Sequence, residues 1–259
     1  MKTYLLVMLG LVAMLAFEGC QTTSKPEKMA SLKNANVVIV GVGKGFAGKC
    51  SGTGNDVSKM KSLLKPYSLK QVVLKDKQAT KAAVVAALTE AVQNKNLAVF
   101  YFSGHGTHTT ATTDKTETDG QDEYVCCYDT VLSDNEIWSI ISKAKGRVHL
   151  IFECCHSGTM YRASSRPISF QKQIRSSRAT SKVSGPISMI CWAAAPDDKY
   201  GWGTSSGGFM TAALKKNFKK TRKYDEVWTK MEADKTTKKY EVIQQTKMGR
   251  DFGTSLIFQ

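Results

Sequence analysis

The sequence predicts an α/β protein, a mostly parallel sheet flanked by helices in three layers. Three observations carry that reading. Apolar runs of strand length occur at Asn36–Val42, Leu69–Leu74, Leu97–Phe102, Arg147–Glu153 and Ile187–Ala194. Stretches with helical spacing separate the first four of them, and a parallel strand pair needs such a crossover. Two of the runs end in chemically dense segments, Ser103-Gly104-His105-Gly106 and Glu153-Cys154-Cys155-His156-Ser157-Gly158. Chemistry in open α/β sheets collects beyond the carboxyl ends of strands.

The elements follow in order. After the first strand a glycine-rich loop runs to Gly54. Val57, Met60, Leu63 and Leu64 then mark a helix over Asn55–Lys65 that Pro66 ends. Thr80 caps a helix over Lys81–Asn94, whose stripe is Val84, Ala87, Leu88 and Val92. Gly104–Asp122 reads as a polar loop. Ser133 caps Asp134–Ala144, and Lys145-Gly146 stops that helix. Between His156 and Pro196 there is no acidic residue, while Arg162, Arg166, Lys172, Arg175, Arg178 and Lys182 fall among many serines. That composition predicts a flexible basic loop at about 159–185. A helix over Gly208–Phe218, a lysine-rich helical stretch over Tyr224–Glu241 and a short strand at Ser255–Phe258 complete the domain, 36–259.

The chain has 259 residues and a net charge of +15, with 42% hydrophobic residues. A basic surface suits nucleic acid, anionic lipid or acidic polymers. No zinc-finger spacing, aromatic RNA-binding signature or basic heptad accompanies it, so no specific nucleic-acid partner is expected. Residues 1–19 have the pattern of a signal peptide: Lys2, an apolar run over Tyr4–Phe17 too short for an ordinary transmembrane helix, then Gly19-Cys20. A small residue before cysteine resembles the bacterial lipobox, although Phe17 and Glu18 depart from its usual residues. The expectation is an exported, membrane-anchored envelope lipoprotein, lipidated on Cys20, with a polar tether over residues 20–35. Cys50, Cys126, Cys127, Cys154, Cys155 and Cys191 form no stapled framework. Cys154 and Cys155 are adjacent and would bridge only with strain.

A thiol peptidase needs a nucleophile, a base to take its proton and donors for the oxyanion. Cys155 and His105 fill the first two roles if their strands are neighbours. The Gly106 and Cys155 N–H groups fill the third, and no third residue orienting His105 is evident. Alternation along an extended strand puts Glu153 on the face of the Cys155 thiol and turns Cys154 into packing. A carboxylate there suits a cationic substrate side chain, which predicts cleavage after Arg or Lys.

The two motifs, fifty residues apart from His105 to Cys155, resemble the metacaspase branch of the caspase-like cysteine peptidases. Gly54-Asn55-Asp56, Ala79-Thr80, Asp119-Gly120-Gln121-Asp122-Glu123 and Ser133–Ile137 extend the likeness over roughly Asn36–Phe218. The resemblance implies a caspase-hemoglobinase fold, cleavage after basic residues and an S1 pocket lined by Asp56, Ser103 and Glu153. Glu153 stands where the family usually has Asp. No cofactor is required, but many members hold calcium on acidic residues. Asp134 matches one such position, Asn135 stands where a second Asp is common and Arg162 replaces a third. The basic loop lies where family members are cut, so Arg162, Arg166, Lys172, Arg175, Arg178 and Lys182 are candidate self-cleavage sites.

Simpler roles stand beside these. His108, His149 and His156 read as structural, and Asp56 equally suits the N-terminal charge of a helix. Asp119, Asp122 and Glu123 divide between a solvated turn and a cation site. A catalytically inactive binding lipoprotein of the same fold is the first alternative. A nucleotide-binding protein is another, since Gly43–Lys49 fits G-x-x-x-x-G-K with Cys50 at the magnesium position. Gly52 and Gly54 disfavour the helix that a phosphate would need. A thiol redox protein lacks its C-x-x-C.

Overall fold

The computed structural model describes residues 34–109, 122–157, 160, 188–195, 200–218, 223–240 and 243–249. Residues 1–19, Cys20, the tether through residue 33, Asp119, the candidate cleavage sites from Arg162 to Lys182, and Ser255–Phe258 fall outside them. The first half contains β1 (Ala35–Gly41), β2 (Lys44–Gly45), β3 (Gly48–Lys49), α1 (Thr53–Leu64), β4 (Ser68–Lys75), α2 (Lys81–Ala91), β5 (Leu97–Ser103), β6 (Gly106–Thr109) and β7 (Asp122–Cys126). The second contains β8 (Val131–Ser133), α3 (Asp134–Ile141), β9 (Arg147–Glu153), β10 (Ser188–Ala193), β11 (Gly203–Thr204), β12 (Gly207–Gly208), α4 (Phe209–Asn217), α5 (Tyr224–Glu232), α6 (Lys235–Tyr240) and β13 (Gln244–Gly249).

The main sheet runs β4-β1-β5-β9-β10-β13. Every neighbouring pair is parallel except β10 with β13, which is antiparallel. The five expected strands are therefore present and neighbour one another as a parallel set. Their continuous apolar sequence has a physical reason: helices cover both faces, so alternate residues enter different cores. Val38, Val40, Phe100, Phe102, Leu150 and Phe152 pack with Val84 and Leu88 of α2 and Ile137 and Ile141 of α3. Val37, Ile39, Val99, Tyr101, Ile151 and Trp192 pack with Val57 and Met60 of α1, Met210 of α4 and Trp228 of α5. From β1 the chain moves outward to β4, then returns past β1 to lay down β5, β9 and β10. The crevice between the β1 and β5 ends is thus a topological switch point, where open sheets bind their ligands.

Both predicted caps form. Thr80 Oγ1 accepts the Ala83 N–H at 3.3 Å. Ser133 Oγ accepts the Glu136 N–H at 3.2 Å while Glu136 Oε2 accepts the Ser133 N–H at 3.1 Å, a reciprocal capping box. The glycine-rich loop after β1 contains the β2–β3 hairpin, and α1 starts at Thr53 behind Gly52, whose φ is +87°. The Gly43 and Lys44 N–H groups of the phosphate-loop-like stretch donate to Asp76 Oδ1 at 2.9 and 3.1 Å. A carboxylate therefore takes the amides that a phosphate would need. The expected polar loop Gly104–Asp122 instead begins with β6, which pairs with β7 in a three-stranded sheet completed by β8. The edge strand β13 was not expected either, because Gln244-Gln245-Thr246-Lys247 carries no apolar alternation.

Ser133→Ala removes one half of the capping box and leaves the Glu136 N–H without its acceptor. Urea unfolding is expected to show a loss of about 1 kcal/mol with an unchanged m-value.

Candidate active site

Register sets the site. Gly41 of β1 pairs with Ser103 of β5, and Ser103 pairs with Glu153 of β9. The three strand ends are level, so the residues that follow them converge. A cavity of about 390 Å³ opens there, and His105, Cys155, Asp56, Ser103 and Glu153 all line it. Every catalytic and S1 side chain expected from the sequence is thus brought to one place.

β9 stops at Glu153, and the chain bends through Cys154 and Cys155. Cys154 turns into the core between the sheet and helices α2 and α3, only 3% exposed. His156 follows with a left-handed φ of +49°, an unusual conformation for a non-glycine residue. Its ring packs edge-on against His108 at 4.2 Å and Tyr200 at 5.3 Å between centroids, which fixes the turn that carries the thiol. His156 and His108 are therefore packing residues. His149 is one too: buried against Trp192 and Tyr224, it is held neutral by burial, its pKa pushed down to about 3.

Cys155 Sγ accepts the Gly201 N–H at 3.3 Å. Burial nevertheless raises its pKa, with the Gly201 N–H and its own N–H opposing that shift, so the resting group is a thiol. It needs a base to become a nucleophile. His105 Nε2 lies 3.1 Å from the Lys49 carbonyl oxygen. A carbonyl only accepts, so Nε2 carries the proton and Nδ1 is the basic nitrogen. The orienting group that sequence reading did not find is this backbone oxygen, which has no residue signature. Gly106 explains its own identity: a Cβ there would stand 2.0 Å from the Cys155 carbonyl oxygen. The two backbone segments proposed as oxyanion donors touch, and only glycine permits it.

The acidic end of the cavity is more elaborate than the sequence indicated. Asp56, in the first turn of α1, is 2% exposed. Both of its oxygens accept the Gly208 N–H at 3.0 Å, Oδ2 accepts the Ser103 hydroxyl at 3.1 Å, and Lys59 Nζ lies 3.6 Å from Oδ1. Burial raises its pKa, and these donors oppose the rise. Glu153 Oε2 accepts the Thr211 N–H at 2.5 Å and the Thr211 hydroxyl at 2.6 Å. Glu153 thus also serves the N-terminus of α4, whose own capping residue, Gly208, has no side chain. Burial first, and the Asp56 charge second, push Glu153 up from 4.5 to about 8.

A family model described as "Caspase domain" matches residues 35–252. The chain belongs to the caspase-domain family. Two solved structures agree with this on fold. A Geobacter sulfurreducens protein is 18% identical, covering 87% of this chain and 98% of its own, with a TM-score of 0.66. Caspase-1 from Spodoptera frugiperda is 13% identical, covering 88% and 92%, with a TM-score of 0.60. Among curated protein sequences none matches. The caspase-domain fold of this chain is accordingly a mostly parallel central sheet between helical layers.

Lys49, Cys50, Gly201, Trp202 and Gly208 of this caspase domain also line the cavity and were not predicted. The signal available for the last three was Tyr200–Gly208, a stretch in which glycines bracket an aromatic residue. Of the positions named for calcium, Asp134 and Asn135 lie among the described residues and Arg162 lies outside them. Asp134 is fully buried at the start of α3 and gives Oδ1 to the Asn135 N–H at 2.7 Å. No group of three or more His, Cys, Asp or Glu side chains among the described residues could hold a metal ion.

Glu153 makes stability depend on pH in a definite direction. With its folded pKa raised to about 8, its contribution is fully present below about pH 4.5 and is lost as pH rises through about 8. Melting curves of the parent and Glu153→Gln chains are expected to converge differently across that window. The parent should lose ground to the Gln variant from pH 5 to pH 9, and a constant gap would contradict the shift.

Proposed function

We propose that this caspase-domain protein is a cysteine endopeptidase that cuts after Arg or Lys, using Cys155 as nucleophile and His105 as base. The observation that carries the reading is the single cavity holding the thiol, the imidazole and two buried carboxylates. His105 Nδ1 takes the thiol proton while the Lys49 carbonyl oxygen steadies the ring through Nε2–H. The thiolate attacks the scissile carbonyl carbon, and the resulting oxyanion takes hydrogen bonds from the Gly106 and Cys155 N–H groups. The imidazolium then protonates the leaving amine, and water resolves the acyl-enzyme with His105 again as base.

The substrate residue before the cut places its cation toward Asp56 and Glu153. A buried carboxylate pair favours a cation and disfavours a neutral side chain of similar size, because the latter leaves the acids uncompensated. Ser103 positions Asp56 through its hydroxyl, and Thr211 does the same for Glu153. In this reading the chemistry uses side chains and backbone alone, without a cofactor. Its partners are proteins or peptides with a basic residue at the cut.

The leader pattern and Cys20 support the reading of an enzyme held outside the cytoplasm on a lipid tether in the bacterial envelope. The basic loop then offers the enzyme cuts of its own, after Arg162, Arg166, Lys172, Arg175, Arg178 or Lys182. Both points rest on sequence.

Fluorogenic peptides with Arg or Lys before the reporter group test the central reading. Cys155→Ala is expected to abolish turnover, and His105→Ala to lower kcat by about 10²–10⁴-fold. Peptides with citrulline in place of arginine should be cleaved poorly. Turnover untouched by either substitution would remove the Cys155–His105 dyad, and a well-folded parent with no turnover on any basic peptide would favour the inactive binding lipoprotein. Intact-mass measurement of the mature chain is expected to show diacylglycerol-type mass on Cys20 and a nick after a basic residue between 162 and 182. An unprocessed, fully active chain would contradict self-cleavage as a requirement.

A further inference from the structure

Asp56 and Glu153 come from distant parts of the chain, α1 and β9, yet both pack on one residue. The Gly208 N–H donates to both Asp56 oxygens at 3.0 Å. A Cβ built on the same glycine would stand 2.1 Å from Glu153 Cδ and 2.3 Å from Oε1. One residue earlier, a Cβ on Gly207 would stand 2.0 Å from Asp56 Oδ1. Strand β12 of the β11–β12 hairpin is therefore clasped by two acids, 2% and 7% exposed. Like charges buried this close do not ionise together at ordinary cost.

The groups around them decide which acid keeps a proton. From α1, Lys59 approaches Asp56 at 3.6 Å and also donates to the Ser206 carbonyl oxygen at 2.5 Å. From β5, Ser103 donates to Asp56, and the Tyr101 hydroxyl lies 2.7 Å from Thr211 Oγ1. From α4, the Thr211 N–H and hydroxyl reach Glu153, as does the Met210 N–H. Lys49, Cys50, His105 and Cys155 line the same cavity. Lys59 thus pairs with Asp56, whereas these helix donors to Glu153 are neutral.

We propose that the empty cavity holds one proton on this pair, carried by Glu153, and that the guanidinium or ammonium of a bound substrate expels it to solvent. The proposal rests on the basic-substrate reading and deepens it: selectivity at this site is linked to proton release. The step breaks only the Glu153 carboxyl O–H bond. Its proton leaves to buffer, and the substrate cation takes its place as the neutralising charge. Glu153 is then a specificity-determining residue that senses charge, while Asp56 stays the standing anion. The upward shift of Glu153 to about 8 agrees with a proton held at neutral pH. Binding of a basic peptide should accordingly tighten as pH rises toward 8, whereas a neutral peptide should show no such gain.

Titration calorimetry on the full Cys155→Ala chain at pH 7 tests this, with a peptide amide ending in arginine and two buffers of different ionisation heat. The expected result is release of about one proton per peptide bound. Adding Glu153→Gln should leave binding measurable and bring the release close to zero, and a citrulline peptide should release none. Binding without buffer dependence, or release that survives in Glu153→Gln, would overturn the shared proton while leaving the basic pocket intact. Failure of the arginine peptide to bind would overturn the basic pocket itself, and the proton with it.

Discussion

The structure depends on the parallel pairing of β5 with β9, held in register from Leu97 opposite Arg147 to Ser103 opposite Glu153. Both strands are apolar on both faces, so a slip of one residue would exchange the two cores and turn Tyr101 and Phe102 to the wrong sides. Burial on two faces therefore fixes register more firmly than backbone hydrogen bonding alone. Because register is fixed, the ends of the strands are fixed as well. His105 and Cys155 each lie two residues beyond a paired position, and their meeting follows from that count.

The same burial that fixes the strands sets the electrostatics of the cavity. It raises the pKa of the Cys155 thiol and of both carboxylates, because each charged form gives up hydration on burial. Opposing this are directed donors: the Gly201 N–H on sulfur, the Gly208 N–H on Asp56, and the Thr211 N–H and hydroxyl on Glu153. Several of them are backbone groups, which cannot be lost by a change of side chain. The site is thus a low-dielectric space with anchored dipoles, a setting in which an arriving charge changes protonation readily.

Much of this was legible in the sequence. Apolar runs located the strands, Thr80 and Ser133 located two helix starts, and the Gly-His-Gly and Glu-Cys-Cys segments located the cavity. What could not be read had two physical causes. Backbone atoms act at the site without any residue type to announce them, as at Lys49, Gly201 and Gly208. Polar strands such as β6 and β13 owe their existence to a partner edge rather than to their own alternation. The likeness of Gly43–Lys49 to a phosphate loop failed for a third reason: Asp76, far along the chain, takes the Gly43 and Lys44 amides.

The placement of β10 beside β9 has one more consequence. The residues that complete the acidic pocket, Gly208 and Thr211, follow the basic stretch in sequence, whereas Asp56, His105 and Cys155 precede it. Val148 to Phe152 of β9 pair with Met189 to Ala193 of β10 inside the buried sheet. Scission anywhere between them would split the polypeptide into two fragments that remain zipped together, each useless without the other. Electrophoresis under denaturing conditions would then count two species where gel filtration finds a single particle of undiminished mass.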